Sequence, residues 1–220
     1  MFAPVQAMVK QASATTVVTT AVTTTSGNLL IAVVTCFTNK IGATPVSDSK
    51  GNTWATAIGS TGTTNGFVGI YYAMNIAGGA GHTVTFTPTG SDFISITVLE
   101  ITGAALTSAF STSSGSVTNS TTHTSPSITS GTTDEILVGA GSASTAAEGT
   151  PVLNQAGWYS VSQISGTAFE GMSIGFRFVP PATTDTYSYT LSAAQNVGIA
   201  IAGFKGVAVH AGGSSTFFGG

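Results

Sequence analysis

Val68-Gly69-Ile70-Tyr71-Tyr72-Ala73-Met74 and Met172-Ser173-Ile174-Gly175-Phe176-Arg177-Phe178 decide the reading of this chain. In each stretch the large apolar side chains fall on every second residue, the period of a half-buried strand. The two stretches also correspond to one another. The only tryptophans, Trp54 and Trp158, lie 158 − 54 = 104 residues apart, and that offset carries Val68, Ile70, Tyr72 and Met74 onto Met172, Ile174, Phe176 and Phe178. Further along, residues 83–87 align with 186–190 at an offset of 103. Without another gap, Ile94, Ile96, Val98, Ile101 and Gly103 then fall on Val197, Ile199, Ile201, Phe204 and Gly206. Upstream, Leu29-Leu30-Ile31 answers Ile136-Leu137-Val138 at an offset of 107, which implies a small insertion in the second copy.

Working outward, the strand runs are separated by turn clusters such as Asp48-Ser49-Lys50-Gly51-Asn52 and Thr89-Gly90-Ser91-Asp92. No stretch keeps helical spacing over three turns. Frequent Thr and Val favour strands through their stiff χ1. The predicted fold is therefore all-β: a two-sheet antiparallel β-sandwich or jelly roll made of two pseudo-repeats, about 15–104 and 116–206. Residues 1–14 read as an N-terminal arm, 15–208 as the sandwich and 209–220 as a C-terminal tail. Two copies of this size make either two small sandwiches or two halves of one. The link over residues 104–124 has no Pro run or charge run, which favours one sandwich with an internal pseudo-twofold. Ile70, Tyr72, Ile96, Val98, Ile174, Phe176, Ile199 and Ile201 are the expected core.

Composition narrows the function. Of 220 residues, 42% are hydrophobic and mean hydropathy is +0.37, so disorder is excluded. Charged residues are only 6%, against roughly 25% in an ordinary soluble domain. Five basic residues against eight acidic ones give a net charge of −3 with no basic block, which leaves nothing to neutralise phosphates, so no nucleic-acid partner is expected. No apolar run approaches the roughly 20 residues of a membrane-crossing helix, and no membrane partner is expected. Residues 1–14 lack a basic stretch followed by an apolar one, so no signal peptide is read there. Cys36 is the single cysteine, placed in an apolar run where a buried inert thiol is expected.

The polar motifs have simpler structural readings. Asp48 to Asn52 lacks the ligand spacing of a calcium loop and reads as a turn with Gly51 at positive φ. Glu100 lies in phase with Ile94, Ile96 and Val98; with Glu170 it could form a glycosidase pair, but its counterpart in the second copy is Gly203 and that of Glu170 is Gly66. A Glu at a strand end, held by backbone amides, accounts for Glu100 without chemistry. Arg177 is expected to face solvent or an interface. His82, His123 and His210 have no metal-binding spacing, and no Gly-x-Ser-x-Gly elbow occurs. Gly78-Gly79-Ala80-Gly81 resembles a phosphate loop only in composition. Trp54, Tyr71, Tyr72 and Trp158 could build a sugar platform but read as core. No catalytic, cofactor-binding or metal residue is assigned, and no cofactor is expected.

With Val46-Ser47-Asp48-Ser49-Lys50-Gly51-Asn52-Thr53-Trp54 and Val98-Leu99-Glu100-Ile101-Thr102-Gly103, the chain resembles the Thr/Ser/Gly-rich β-sandwich domains of tailed bacteriophages and bacterial surface proteins. The resemblance spans roughly residues 15–206. It implies a non-enzymatic virion component, a capsid decoration (cement) or tail protein assembled in the host cytoplasm, whose partners are copies of itself and a major capsid or tail protein. The alternative it leaves open is a carbohydrate-binding or adhesive module on an extracellular surface. Assembly contacts are expected from the apolar ends: Phe2, Val5 and Met8 at the start, Phe217 and Phe218 in the tail.

Overall fold

The computed structural model describes residues 2–63, 66–143, 150–164 and 171–207. The described residues are all-β, with 66% of them in strands and no helix among them. Sheet one has the order β1 (Ala3–Ala14), β10 (Asp92–Thr102), β4 (Leu29–Cys36), β7 (Phe67–Ala73), β6 (Ala55–Gly62). Sheet two has the order β11 (Phe110–Thr124), β18 (Ser188–Lys205), β13 (Glu135–Ala143), β16 (Gly171–Val179), β15 (Tyr159–Ile164). Strand for strand, the second order is the first one again.

The registers repeat as well. Leu29 pairs with Ile101 in sheet one and Ile136 with Phe204 in sheet two. Ala55 opposite Tyr72 becomes Tyr159 opposite Phe176, and Gln6 opposite Glu100 becomes Thr112 opposite Gly203. Even the two-stranded side sheets correspond: β3 (Val22–Thr24) on β8 (Gly79–His82) has Val22 opposite His82, and β12 (Ile128–Thr129) on β17 (Thr184–Asp185) has Ile128 opposite Asp185. A one-residue slip anywhere would turn every apolar side chain to the wrong face, so agreement at this level fixes the duplication.

The two main sheets face each other across a shared apolar layer. Leu29, Ile31, Val33, Val68, Ile70, Leu99 and Ile101 of the first repeat meet Ile136, Val138, Ala140, Met172, Ile174, Phe176 and Phe204 of the second. Each main sheet also buries its outer face, which produces the continuous apolar runs of β4 and β13. Over sheet one lies a three-stranded sheet of β2 (Val17–Val18), β9 (Val84–Phe86) and β5 (Val46–Asp48), enclosing Leu30, Ala32, Val34, Ile94, Ile96 and Val98. Over sheet two, the end of β11, the start of β18 and β14 (Val152–Leu153) do the same for Leu137, Ile199 and Ile201. The antiparallel sandwich of two pseudo-repeats is thus present, and each half adds a covering layer of its own.

Seven of the eight expected core residues are buried; Tyr72 is half-buried, its ring against Phe110 and Phe204 at 5.7 and 5.5 Å. Of residues 1–14, read as an arm, the described ones from Ala3 onward are a paired strand. Ala3–Ala14 is the edge strand β1, laddered onto β10 from Ala3 to Ala14, with Met8 in the outer core of its repeat. Gly51 has φ 72°, as its turn requires, and Cys36 is buried.

Candidate functional site

The buried polar groups close loops. Glu100, fully buried on β10, accepts hydrogen bonds from Thr25 N (2.8 Å), Asn28 Nδ2 (2.6 Å) and Gln6 Nε2 (2.6 Å). The second repeat supplies its carboxylate from the neighbouring strand. Glu135, at the position of Asn28, accepts from Gly131 N (2.8 Å), the counterpart of Thr25 N, and its Oε2 comes within 2.6 Å of where a side chain at Gly203 would begin. Gly203, at the position of Glu100, leaves room for it. Both carboxylates therefore tie down the loop that enters the second strand of the ladder. Glu170, the catalytic partner considered for Glu100, lies outside the described residues.

Thr24 Oγ1, His82 and Asp48 form a line that resembles a nucleophile, base and orienting acid. The hydroxyl is 2.6 Å from His82 Nδ1, and His82 Nε2 is 3.5 Å from Asp48 Oδ1. Thr24 is 4% exposed and His82 fully buried, so no substrate carbonyl can approach the oxygen. Burial pushes the Asp48 carboxyl up, but hydrogen bonds from Trp54 Nε1 (2.7 Å) and the amides of Lys50 and Asn52 outweigh it and hold it below its ordinary value. In the second repeat the same place holds Gln155 facing Asp185, and Arg177, partly exposed, pairs with Asp185 at 2.7 Å. A constellation whose duplicate keeps a buried hydroxyl, Ser130, but replaces both the histidine and the carboxylate beside it fits a structural closure better than a catalytic one. Among the described residues no group of three His, Cys, Asp or Glu side chains converges as metal ligands.

The surface feature that stands out comes from a broken symmetry between the sheets. On one side the outer strands β6 and β11 meet, Ser113 Oγ donating to Ala57 O at 2.7 Å, and beside them Gly198 N of β18 donates to Gly66 O, just before β7, at 3.0 Å. Glycines permit this approach. A Cβ on Gly115 would lie 2.7 Å from Ile58 Cδ1, and one on Gly198 would lie 2.0 Å from Thr61 O. On the opposite side the equivalent strands are β15 and β1, where the register puts Val9 and Ser95 at the positions of Gly115 and Gly198. The two strands make no such close approach. A slot remains, lined by Pro4, Val5, Ala7, Leu99, Val161 and Phe176.

The slot opens toward a wider groove of about 490 Å³ formed by Phe2, Asp134, Glu135, Phe178, Val179 and Pro180. An aromatic ladder connects the two: Tyr159 stacks on Phe176 at 5.3 Å, Phe176 meets Phe178 at 5.4 Å, and Phe178 meets Phe2 at 6.0 Å. Tyr159 is 60% and Phe178 38% exposed. The sequence-expected contact residues divide here. Val5 lines the slot and is 48% exposed; Phe2 packs on its own chain's Phe178; Met8 is buried beneath Thr19, whose hydroxyl is 3.7 Å from the Met8 sulfur. Phe217 and Phe218 lie outside the described residues, as does His210. Tyr159 and Phe178 were not expected as surface groups. Adjacent aromatics such as Trp158-Tyr159 must point to opposite faces of a strand, so one of them was bound to leave the outer core. Of the aromatics considered for a sugar platform, Tyr71 and Trp158 are buried and Trp54 and Tyr72 half-buried.

No family model, curated protein or solved structure matches this chain. Function therefore rests on the geometry.

Proposed function

We propose that the protein is a non-enzymatic structural component that assembles with copies of itself on a particle surface, as a capsid decoration or tail-surface protein of a tailed bacteriophage does. The supporting observation is the state of the sheet edges. The outer strands β1, β6, β11 and β15 together carry one Lys, Arg, Asp or Glu, namely Lys10. Proteins that live as free monomers blunt such edges with charge, proline or bulges, because unpaired backbone amides and carbonyls template further strands. Here β6 and β15 are bulged, but β1 is disturbed only by Pro4 and one register shift at its start, and β11 by shifts between Phe110 and Thr112 and between Ser120 and Thr122. The ladders from Gln6 to Ala14 and from Thr112 to Ser120 are uninterrupted. The Thr, Ser and Asn surface hydrogen-bonds without repelling a neighbour, which suits repeated packing.

The test is the mass of the purified full chain across a concentration series, with electron microscopy of any assembly. The expected result is a discrete homo-oligomer whose contacts run along the main-sheet edges. A monomer at every concentration that binds oligosaccharides would replace this reading with the adhesive one.

A further inference from the structure

We propose that the open side of the sandwich, between β1 and β15, is the face by which one copy of the chain meets the same face of a second copy. This contact presumes the assembly proposed above and places it on one of the two pairs of outer strands. The duplication supplies the comparison. With Gln6 at the place of Thr112 and Ala55 at that of Tyr159, the closed side sets Ser111, Ser113 and Gly115 against Ala55 and Ala57. At the same positions the open side has Val5, Ala7 and Val9 against Tyr159 and Val161. Each of the five is larger or more apolar than its counterpart. On the closed side the Ser113 hydroxyl covers Ala57 O, whereas Ala7 has no hydroxyl to offer Val161.

The closed side is thus finished within the chain and the open side is not. Val5 is 48%, Val9 41% and Tyr159 60% exposed, and the slot between them leads to Leu99 and Phe176 of the shared apolar layer. Single exposed apolar residues are ordinary, but a contiguous set over an opening into the core marks a contact surface. Charge and size point to a second copy as the partner. The only charged side chain on β1 and β15 is Lys10, and its place next to Val9 turns it to the other face of the strand. An uncharged face meets its own copy without repulsion and offers an acidic or basic partner nothing to pair with. β1 has 12 residues, a length of about 40 Å, and stacked sheets stand about 10 Å apart. With the flanks of both edge strands the face is about 20 Å wide and covers about 800 Å², the share each partner gives to an interface of standard size. A same-face contact closes at two copies, so any larger assembly is built from such pairs.

Alkylation of added cysteines tests this in the full chain. Val5→Cys and Val9→Cys put a thiol on the open side and Val117→Cys puts one on β11, while the native Cys36 is buried. Each variant is alkylated at a concentration where it is assembled, and again after dilution to single chains. Assembly should slow the reaction at positions 5 and 9 about tenfold and that at position 117 less than about twofold, since the middle of an interface excludes solvent. Loss of assembly in the Val5 and Val9 variants alone, at an unchanged denaturation midpoint, counts for the proposal as well. An assembled chain that protects position 117 and leaves 5 and 9 reactive overturns the same-face contact and keeps the assembly reading. So does an odd-numbered ring or open-ended growth, which needs two different faces. A single-chain mass at every concentration overturns both.

Discussion

Gly139→Ala should destabilise the protein by about 3 kcal/mol or more, an unusually large effect for one methyl group. The Cβ would lie 2.0 Å from Tyr187 Cγ and 2.4 Å from Tyr187 Cβ, and Tyr187 is a fully buried ring with no room to retreat. Burial also pushes the Tyr187 hydroxyl above its ordinary pKa, while hydrogen bonds from Ser173 and Gln163 act the other way. The duplicate explains the glycine. Where the second repeat sets Gly139 and Gly141 against Tyr187 and Tyr189, the first sets Ala32 and Val34 against Val84 and Phe86. Volume removed from the strand was given to the covering layer. Combining Gly139→Ala with Tyr187→Val should therefore recover part of the loss, despite removing the 2.7 Å hydrogen bond between Tyr187 and Ser173. Urea denaturation of the two variants measures this. A cost below about 0.5 kcal/mol for Gly139→Ala would show that the covering layer is loosely packed.

Glu100→Ala should cost about 3–5 kcal/mol, and Glu135→Ala only about 1–2 kcal/mol. The two carboxylates occupy corresponding places, so the difference lies in their partners. Removing Glu100 leaves Thr25 N and Asn28 Nδ2 without their acceptor and takes one of two from Gln6 Nε2, which also ties β1 to β3 through Thr23 O at 2.8 Å. Glu135 holds one backbone amide, and its Oε2 has no hydrogen-bond partner. Denaturation midpoints of the two variants, compared at constant m-value, give the ratio. Equal costs would mean that desolvation, rather than the count of satisfied donors, governs these sites.

Alternation and the tryptophan spacing were enough to read the duplicated all-β fold, because strands that bury one face announce their phase. The covering layers were not legible. β2, β3 and β12 are two- or three-residue strands within Thr-rich sequence, too short to show a period, and their partners lie more than 50 residues away. The N-terminal strand was missed for a related reason. An edge strand buries little, only Met8 fully, and the register shift between Pro4 and Gln6 breaks its alternation. The groove was hidden more deeply. It lies on the side where Val9 and Ser95 stand at the positions of Gly115 and Gly198, a contrast with meaning only once the register of both repeats is known. Phe176 read as core and is buried, whereas Phe178, two residues on in the same phase, is exposed at the open end of the shared layer.

The account holds that uncharged main-sheet edges drive assembly, and charging them tests it most directly. Val9 and Val117 are each 41% exposed on β1 and β11. Val9→Lys with Val117→Lys adds a charge to each edge and removes no buried contact, so stability should move by no more than about 0.5 kcal/mol. Sedimentation equilibrium of the native chain and of this variant at matched concentration is the measurement. The expected result is an oligomer for the native chain and a folded monomer for the variant. A native chain that sediments as a monomer, or a variant that assembles as fully as the native chain, would contradict the account.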